Sequence, residues 1–159
     1  MFKVGDKIVH PMHGAGIVDS IVTREINNET TEFYVMKLPV GAMVVMIPVS
    51  SCQTIGVRGV VNSDQAETVM TSLDKLPTDM TSNWNRRYRE NMLKIKSGDL
   101  MEVATVIKGL VSRDHEKGLS TGERKMLHTA KQILISEIVL SQGTTYEAVE
   151  QRLNEAFAV

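Results

Sequence analysis

The chain has 159 residues, 42% apolar and 23% charged, the composition of a globular protein long enough for one ordinary domain or two small ones. Its apolar runs stop far short of the roughly 20 residues that a membrane-spanning helix needs. The single cysteine, Cys52, excludes an intrachain disulfide framework and a cysteine-based zinc site. MFKVGDKIVHP has no long apolar stretch after its first charges, so no secretory signal is expected, and the expected compartment is a reducing cytoplasm.

The formal net charge of −1 would argue against a polyanionic partner if it were evenly spread, and it is not. Residues 83–131 hold eleven Lys and Arg against six Asp and Glu, a local charge of +5. The stretches on either side, 61–82 and 132–159, each sum to −3, and residues 1–60 are neutral. A basic middle is therefore hidden inside a neutral total, and it is the local field that steers a polyanion.

The first part of the chain reads as strands. KIVH (7–10), GIVDSIVTREI (16–26), TEFYVMKL (31–38) and MVVMIPV (43–49) are rich in Val and Ile and separated by turn signals. Asn27-Asn28 with Glu29-Thr30 predicts a hairpin tip, and Pro39-Val40-Gly41 a second turn. Gly14 and Gly16 bracket the start of the second run, where a tight bend or a close backbone approach suits a missing Cβ. Several short strands with tight turns predict a small antiparallel β-barrel of SH3 or Tudor type over residues 1–60.

From Ser63 onward the apolar period becomes helical. Ala66, Val69, Met70, Leu73 and Leu76 follow helical spacing up to Pro77, and Asp64 with Glu67 has capping-box spacing. A second helix is predicted from about Asn83 to Gly98 and a third from about Asp99 to Lys117. Ser120 with Glu123 predicts the start of a fourth that ends at Gly143, and Thr144 with Glu147 the start of a fifth that turns Val149, Leu153, Ala156 and Phe157 inward. The fold class is thus α+β in two domains, a barrel over 1–60 and an all-α bundle of about five helices over 61–159, joined between Val57 and Asn62.

Few residues suggest catalysis. His10 and His13 in HPMHGAG lack a supporting Cys or carboxylate and read as a structural or surface pair rather than metal ligands. GLSTGERK (118–125) fails the phosphate-loop spacing and reads as a helix stop followed by a cap. Cys52 has no local charge partner that would activate it and reads as a buried filler. No metal, cofactor or enzymatic activity is expected.

NWNRRYREN (83–91) stands apart. It places the only tryptophan, Trp84, next to Arg86, Arg87 and Arg89 at a predicted helix start. Two readings remain open: Trp84, Tyr88 and Ile95 form a core face with the arginines as a solvated flank, or an apolar wedge ringed by forked donors touches nucleic acid. Arg124, Lys125 and Lys131 form a second basic spot on the fourth helix, which joins the first only if both helix starts face the same way.

FKVGDKIVHPMHGAGIV, IVTREI, EFYVMKLP and IPV, followed by NWNRRYRENMLKIKSGD and RDHEKGLSTGERKML, together resemble the CarD/CdnL family of bacterial RNA polymerase-binding regulators, in order over almost the whole chain. The N-terminal segment is also similar to the polymerase-interacting module of the transcription-repair coupling factor, whose ATPase motor is too large for this chain. The resemblance implies a Tudor-like domain that docks on the β1 lobe of the polymerase β subunit. It also implies a helical domain that meets promoter DNA at the upstream edge of the −10 element and stabilises the open complex, with the protein acting as a monomer. Carried over by position, the wedge is Trp84; Arg86, Arg89 and Arg87 meet phosphates, with Arg124 or Lys125 as a second contact, and Arg24 meets the polymerase. Met46 stands where other members carry an arginine, so this docking surface would be more apolar, or the strand edge at Met46 and Ile47 would pair with the partner. The alternative is a polymerase-binding adaptor whose helical half binds another protein through Trp84.

Overall fold

The computed structural model describes residues 1–39 and 42–157. Five antiparallel strands, β1 (Lys7–His10), β2 (Gly14–Ile26), β3 (Glu29–Lys37), β4 (Val44–Pro48) and β5 (Arg58–Gly59), lie in the order β4-β3-β2-β1-β5. The expected barrel is a curled sheet, and its end strands β4 and β5 do not pair with each other. A short helix, α1 (Cys52–Ile55), connects them and places Cys52 in the sheet's core, so the thiol is buried. β2 and β3 are joined by a two-residue turn, Asn27-Asn28, with both residues at positive φ (52° and 65°). Asparagine tolerates that region better than most residues, and a turn of this hand matches the twist of the paired strands. Val40 and Gly41 of the predicted second turn lie outside the described residues.

An irregularity at Asp19 decides which side of β2 faces inward. Val18 pairs with Met36 and Ser20 with Val35, which leaves Asp19 as an extra, bulged residue. Val18, Met36, Tyr34 and Ile47 form the inner face with Ile8, all at most 1% exposed. By alternation the outer face carries Val22 and Arg24 from β2, Phe33 and Val35 from β3, and Val44 and Met46 from β4.

The helices are α2 (Ser63–Ser72), α3 (Trp84–Lys96), α4 (Leu100–Lys117), α5 (Thr121–Gln142) and α6 (Tyr146–Ala156). Two of the expected caps shift. Asn62 and Gln65, not Asp64 and Glu67, exchange the reciprocal bonds that open α2. Asp64 then lies in the first turn, where a negative charge suits the helix dipole, and Glu67 reaches Arg152 of α6 at 2.8 and 3.0 Å. Thr145, not Thr144, caps α6, because the Thr144 N–H is already used at the end of α5, donating to the Val139 carbonyl behind left-handed Gly143. The helical core is built on α4 and α5, with Ile107, Leu110, Leu134, Ile135 and Ile138 fully buried. Among the described residues no helix is long and apolar enough to cross a membrane.

α5 packs across the start of β2 and locks the sheet to the helices. Ser136 Oγ accepts the Ala15 N–H at 2.9 Å and donates to the Ile133 carbonyl. Gly14 makes this approach possible: its φ is +95°, and a Cβ there would stand 2.5 Å from Ser136 Oγ. Gly16 is equally close-packed, since its Cβ would meet the Lys37 carbonyl oxygen at 2.5 Å. Beside them the wholly buried Glu137 carboxylate accepts two bonds from Arg58 of β5, at 2.6 and 2.8 Å, and the Val61 N–H at 2.9 Å. Arg58 also donates to the Gly98 carbonyl ahead of α4. Removing one partner of such a pair strands the other in low dielectric. Arg58→Ala is therefore expected to lower unfolding free energy in urea by about 3 kcal/mol; a change below about 1 kcal/mol would show that the pair does not hold the two parts together.

Candidate functional site

The basic stretch begins α3 because Asn83 caps it, accepting the Arg86 N–H at 2.9 Å. Trp84 is thus the first helical residue, and it is 41% exposed. Its ring stacks on Tyr88 one turn later, with centroids 5.1 Å apart and planes 20° from parallel. The ring edge passes over Gly122 at the start of α5, and the indole Nε1–H donates to Ser120 Oγ at 3.0 Å. The tryptophan is neither sealed in the core nor loose in water. It is a half-exposed ring held on three sides.

The buried side of α3 is formed by Arg87, Asn91 and Ile95 rather than by Trp84. Arg87, expected among the phosphate-contacting arginines, is 2% exposed, and its guanidinium does not reach the surface. It donates to both carboxylate oxygens of Glu123, at 2.7 and 3.2 Å, and through Nη1 to the Thr81 and Ser82 carbonyls just before α3. Glu123 is equally buried. Its expected capping-box role is only half met: its N–H donates to Ser120 Oγ, but its carboxylate turns to Arg87. The clue in the sequence is the four-residue spacing of Arg87, Asn91 and Ile95, which puts the arginine in line with an apolar residue.

The Arg87 guanidinium holds the Glu123 carboxyl below the usual carboxylate range against the opposing pull of burial, with help from the Ser120 hydroxyl and Arg113. The Arg87–Glu123 and Trp84–Ser120 contacts set the N-termini of α3 and α5 side by side. The two basic spots therefore share one end of the bundle. Arg86, Arg89, Arg124 and Lys125 are all exposed there, and Arg86 is tied to Glu90 at 2.9 Å in a solvated pair of little energetic weight. Tyr88, Met92 and Leu93 continue from Trp84 along a surface groove of about 500 Å3, to which Arg89 and Lys96 add positive charge.

On the sheet, Arg24 and Met46 are exposed on the outer face, joined by the half-buried Phe33 and Val35. Ile47 points the other way and is 1% exposed. A partner can reach only its backbone, which lies on the edge strand β4. The His10 and His13 rings lie 4.5 Å apart with their planes tilted by 52°, and His10 Nδ1 accepts the Met12 N–H. Burial, then the neighbouring His13, pushes the His10 pKa down, which suits that acceptor role. Among the described residues no three His, Cys, Asp or Glu gather as metal ligands. GLSTGERK is a helix stop at Gly118, whose φ of 76° is positive, followed by the Ser120 cap.

Residues 2–61 match the family model of the CarD-like/TRCF RID domain, and residues 68–154 match that of the CarD C-terminal domain. Over 150 residues, 94% of this chain and 98% of the relative, the sequence is 36% identical to a Bacillus subtilis (strain 168) protein named "Putative transcription factor YdeB". The chain belongs to the CarD family. Within this CarD chain the basic, aromatic end of the bundle falls inside the C-terminal match, while Arg24 and Met46 fall inside the N-terminal one.

The depressed Glu123 pKa sets a pH dependence. A carboxylate stabilised in the folded state contributes fully above its ordinary pKa of 4.5 and loses that contribution as pH falls through the lowered value. The wild-type thermal midpoint is expected to fall more steeply below about pH 4.5 than that of Glu123→Gln, whose midpoint is already lower at pH 7. Parallel curves would remove Glu123 as an ionised partner of Arg87.

Proposed function

We propose that this CarD-like transcription factor docks on the β subunit of RNA polymerase through the outer face of its sheet and braces the melted promoter with its helical end. The observation that carries this reading is Trp84, half exposed at a basic helix start and fixed before any partner arrives. In this reading the ring enters the minor groove at the upstream edge of the −10 element. Arg86, Arg89, Arg124 and Lys125 hold the phosphates on either side. Unstacking a base step costs a few kcal/mol, and a ring that fills the opened space offsets it only once melting has begun. The protein then binds the open state better than the closed one and shifts the equilibrium without catalysing a reaction.

A handful of exposed cations gives weak, salt-sensitive DNA affinity. Docking on the polymerase supplies a high local concentration, so weak contacts are enough. Arg24 marks one corner of the proposed docking face, and Met46 joins Val35, Phe33 and Val44 in an apolar patch. An apolar partner surface, together with the free backbone of β4, therefore replaces the arginine contact expected from relatives.

A second reading has an observation of its own. Leu93 is 64% exposed beside the Trp84–Tyr88–Met92 groove, as it would be in an anchor site for another protein. The two readings part on Trp84→Ala. Promoter open complexes are expected to decay roughly tenfold faster with the variant, the equivalent of about 1.4 kcal/mol, while polymerase affinity and the far-UV spectrum stay unchanged. Unaltered open-complex lifetime favours the protein-adaptor reading. Separately, Arg24→Glu is expected to weaken calorimetric binding to the polymerase β subunit at least several-fold, and unchanged affinity would move the docking surface elsewhere.

A further inference from the structure

Ser120 carries more than the cap of α5. Its hydroxyl has one proton to give and two lone pairs to receive. Both lone pairs are taken, one by the Trp84 Nε1–H at 3.0 Å and one by the Glu123 N–H at 3.2 Å. The proton goes to Glu123 Oε1 at 3.3 Å, on the same carboxylate that Arg87 grips from inside the bundle. A continuous polar chain thus runs from the buried ion pair to the exposed ring. Tyr88 supports one face of the indole, and the ring edge passes close to Gly122.

We infer that Ser120 is the positioning residue of Trp84, holding the indole in its wedging direction and occupying its only polar group. The inference rests on the wedge reading above and adds what keeps the wedge in place. Two consequences follow from the bonding alone. The ring loses little rotational freedom on meeting DNA, because that freedom is already restricted in the free protein. The indole N–H also has no hydrogen bond left to offer the acceptors that A·T pairs show in the minor groove, so the wedge acts by shape and leaves sequence choice to the ease of deforming the step.

The test separates the cap from the hold. Glycine at an N-cap costs only a few tenths of a kcal/mol relative to serine, yet Ser120→Gly removes the acceptor of the indole. Ser120→Thr keeps both functions. Trp84 is the only tryptophan, so time-resolved fluorescence anisotropy of the free protein reports this ring alone. Ser120→Gly is expected to keep its thermal midpoint within a few degrees, to gain a fast indole motion that wild type lacks, and to shorten open-complex lifetime several-fold. Ser120→Thr restores both of the last two. An indole equally rigid in Ser120→Gly overturns the inference, as does a loosened indole with unchanged open-complex lifetime while Trp84→Ala shortens it. If Trp84→Ala itself leaves the lifetime unaltered, the wedge reading fails, and a loosened ring in Ser120→Gly still shows that Ser120 holds the indole.

Discussion

The ion pair between Arg87 and Glu123 is the constraint on which the basic end of this molecule depends. Both side chains are almost wholly out of water, so each charge is tolerable only because the other is there. A pair of this kind is a poor source of net stability compared with packed apolar residues, and its use lies in specifying an arrangement. Here it does so twice over. Arg87 draws in the chain ahead of α3 through the Thr81 and Ser82 carbonyls, and Glu123 fixes the first turn of α5 against it. The start of α3 is set against the start of α5, and Trp84 is left facing outward beside them.

α5 carries that arrangement to the other half of the protein. Ser120 and Glu123 stand at its beginning, while Ser136 and Glu137, which bind the sheet through Ala15, Val61 and Arg58, stand toward its end. At about 1.5 Å per residue, roughly 22 Å of straight helix separates the centres of the two groups. A tether raises local concentration only when its geometry lets both ends engage together. A rigid helix between the sheet and the ring would meet that condition for the proposed function better than a flexible linker, because it holds the Trp84 ring at one fixed distance from the sheet.

Much of this was legible in the sequence, for local reasons. The Asn27-Asn28 hairpin and the Ser120 and Gly143 boundaries of α5 each depend on a few neighbouring residues. The misses share a different cause. Arg87 reads as a surface cation until Glu123 arrives from 36 positions away to neutralise it. Ile47 and Met46 are interchangeable apolar residues until the sheet assigns one to each face, and the bulge at Asp19 cannot be seen before β2 and β3 are paired. The caps of α2 and α6 slipped by one or two positions because adjacent Asn, Asp, Ser and Thr residues compete for the same N–H groups, and only the neighbouring helix end decides between Thr144 and Thr145. The exposure of Trp84, left open by its spacing, was settled by Arg87 occupying the inner face.

The central claim is that the Trp84 ring engages DNA only where the strands have separated. Biosynthetic 5-fluorotryptophan places one fluorine in this chain, at Trp84, and its 19F resonance can be followed in the presence of unlabelled polymerase. The account predicts a shifted, broadened resonance when polymerase and a pre-melted fork of promoter DNA are both present, and little change with polymerase alone. A resonance indifferent to the fork, or moved as far by polymerase without DNA, would contradict it.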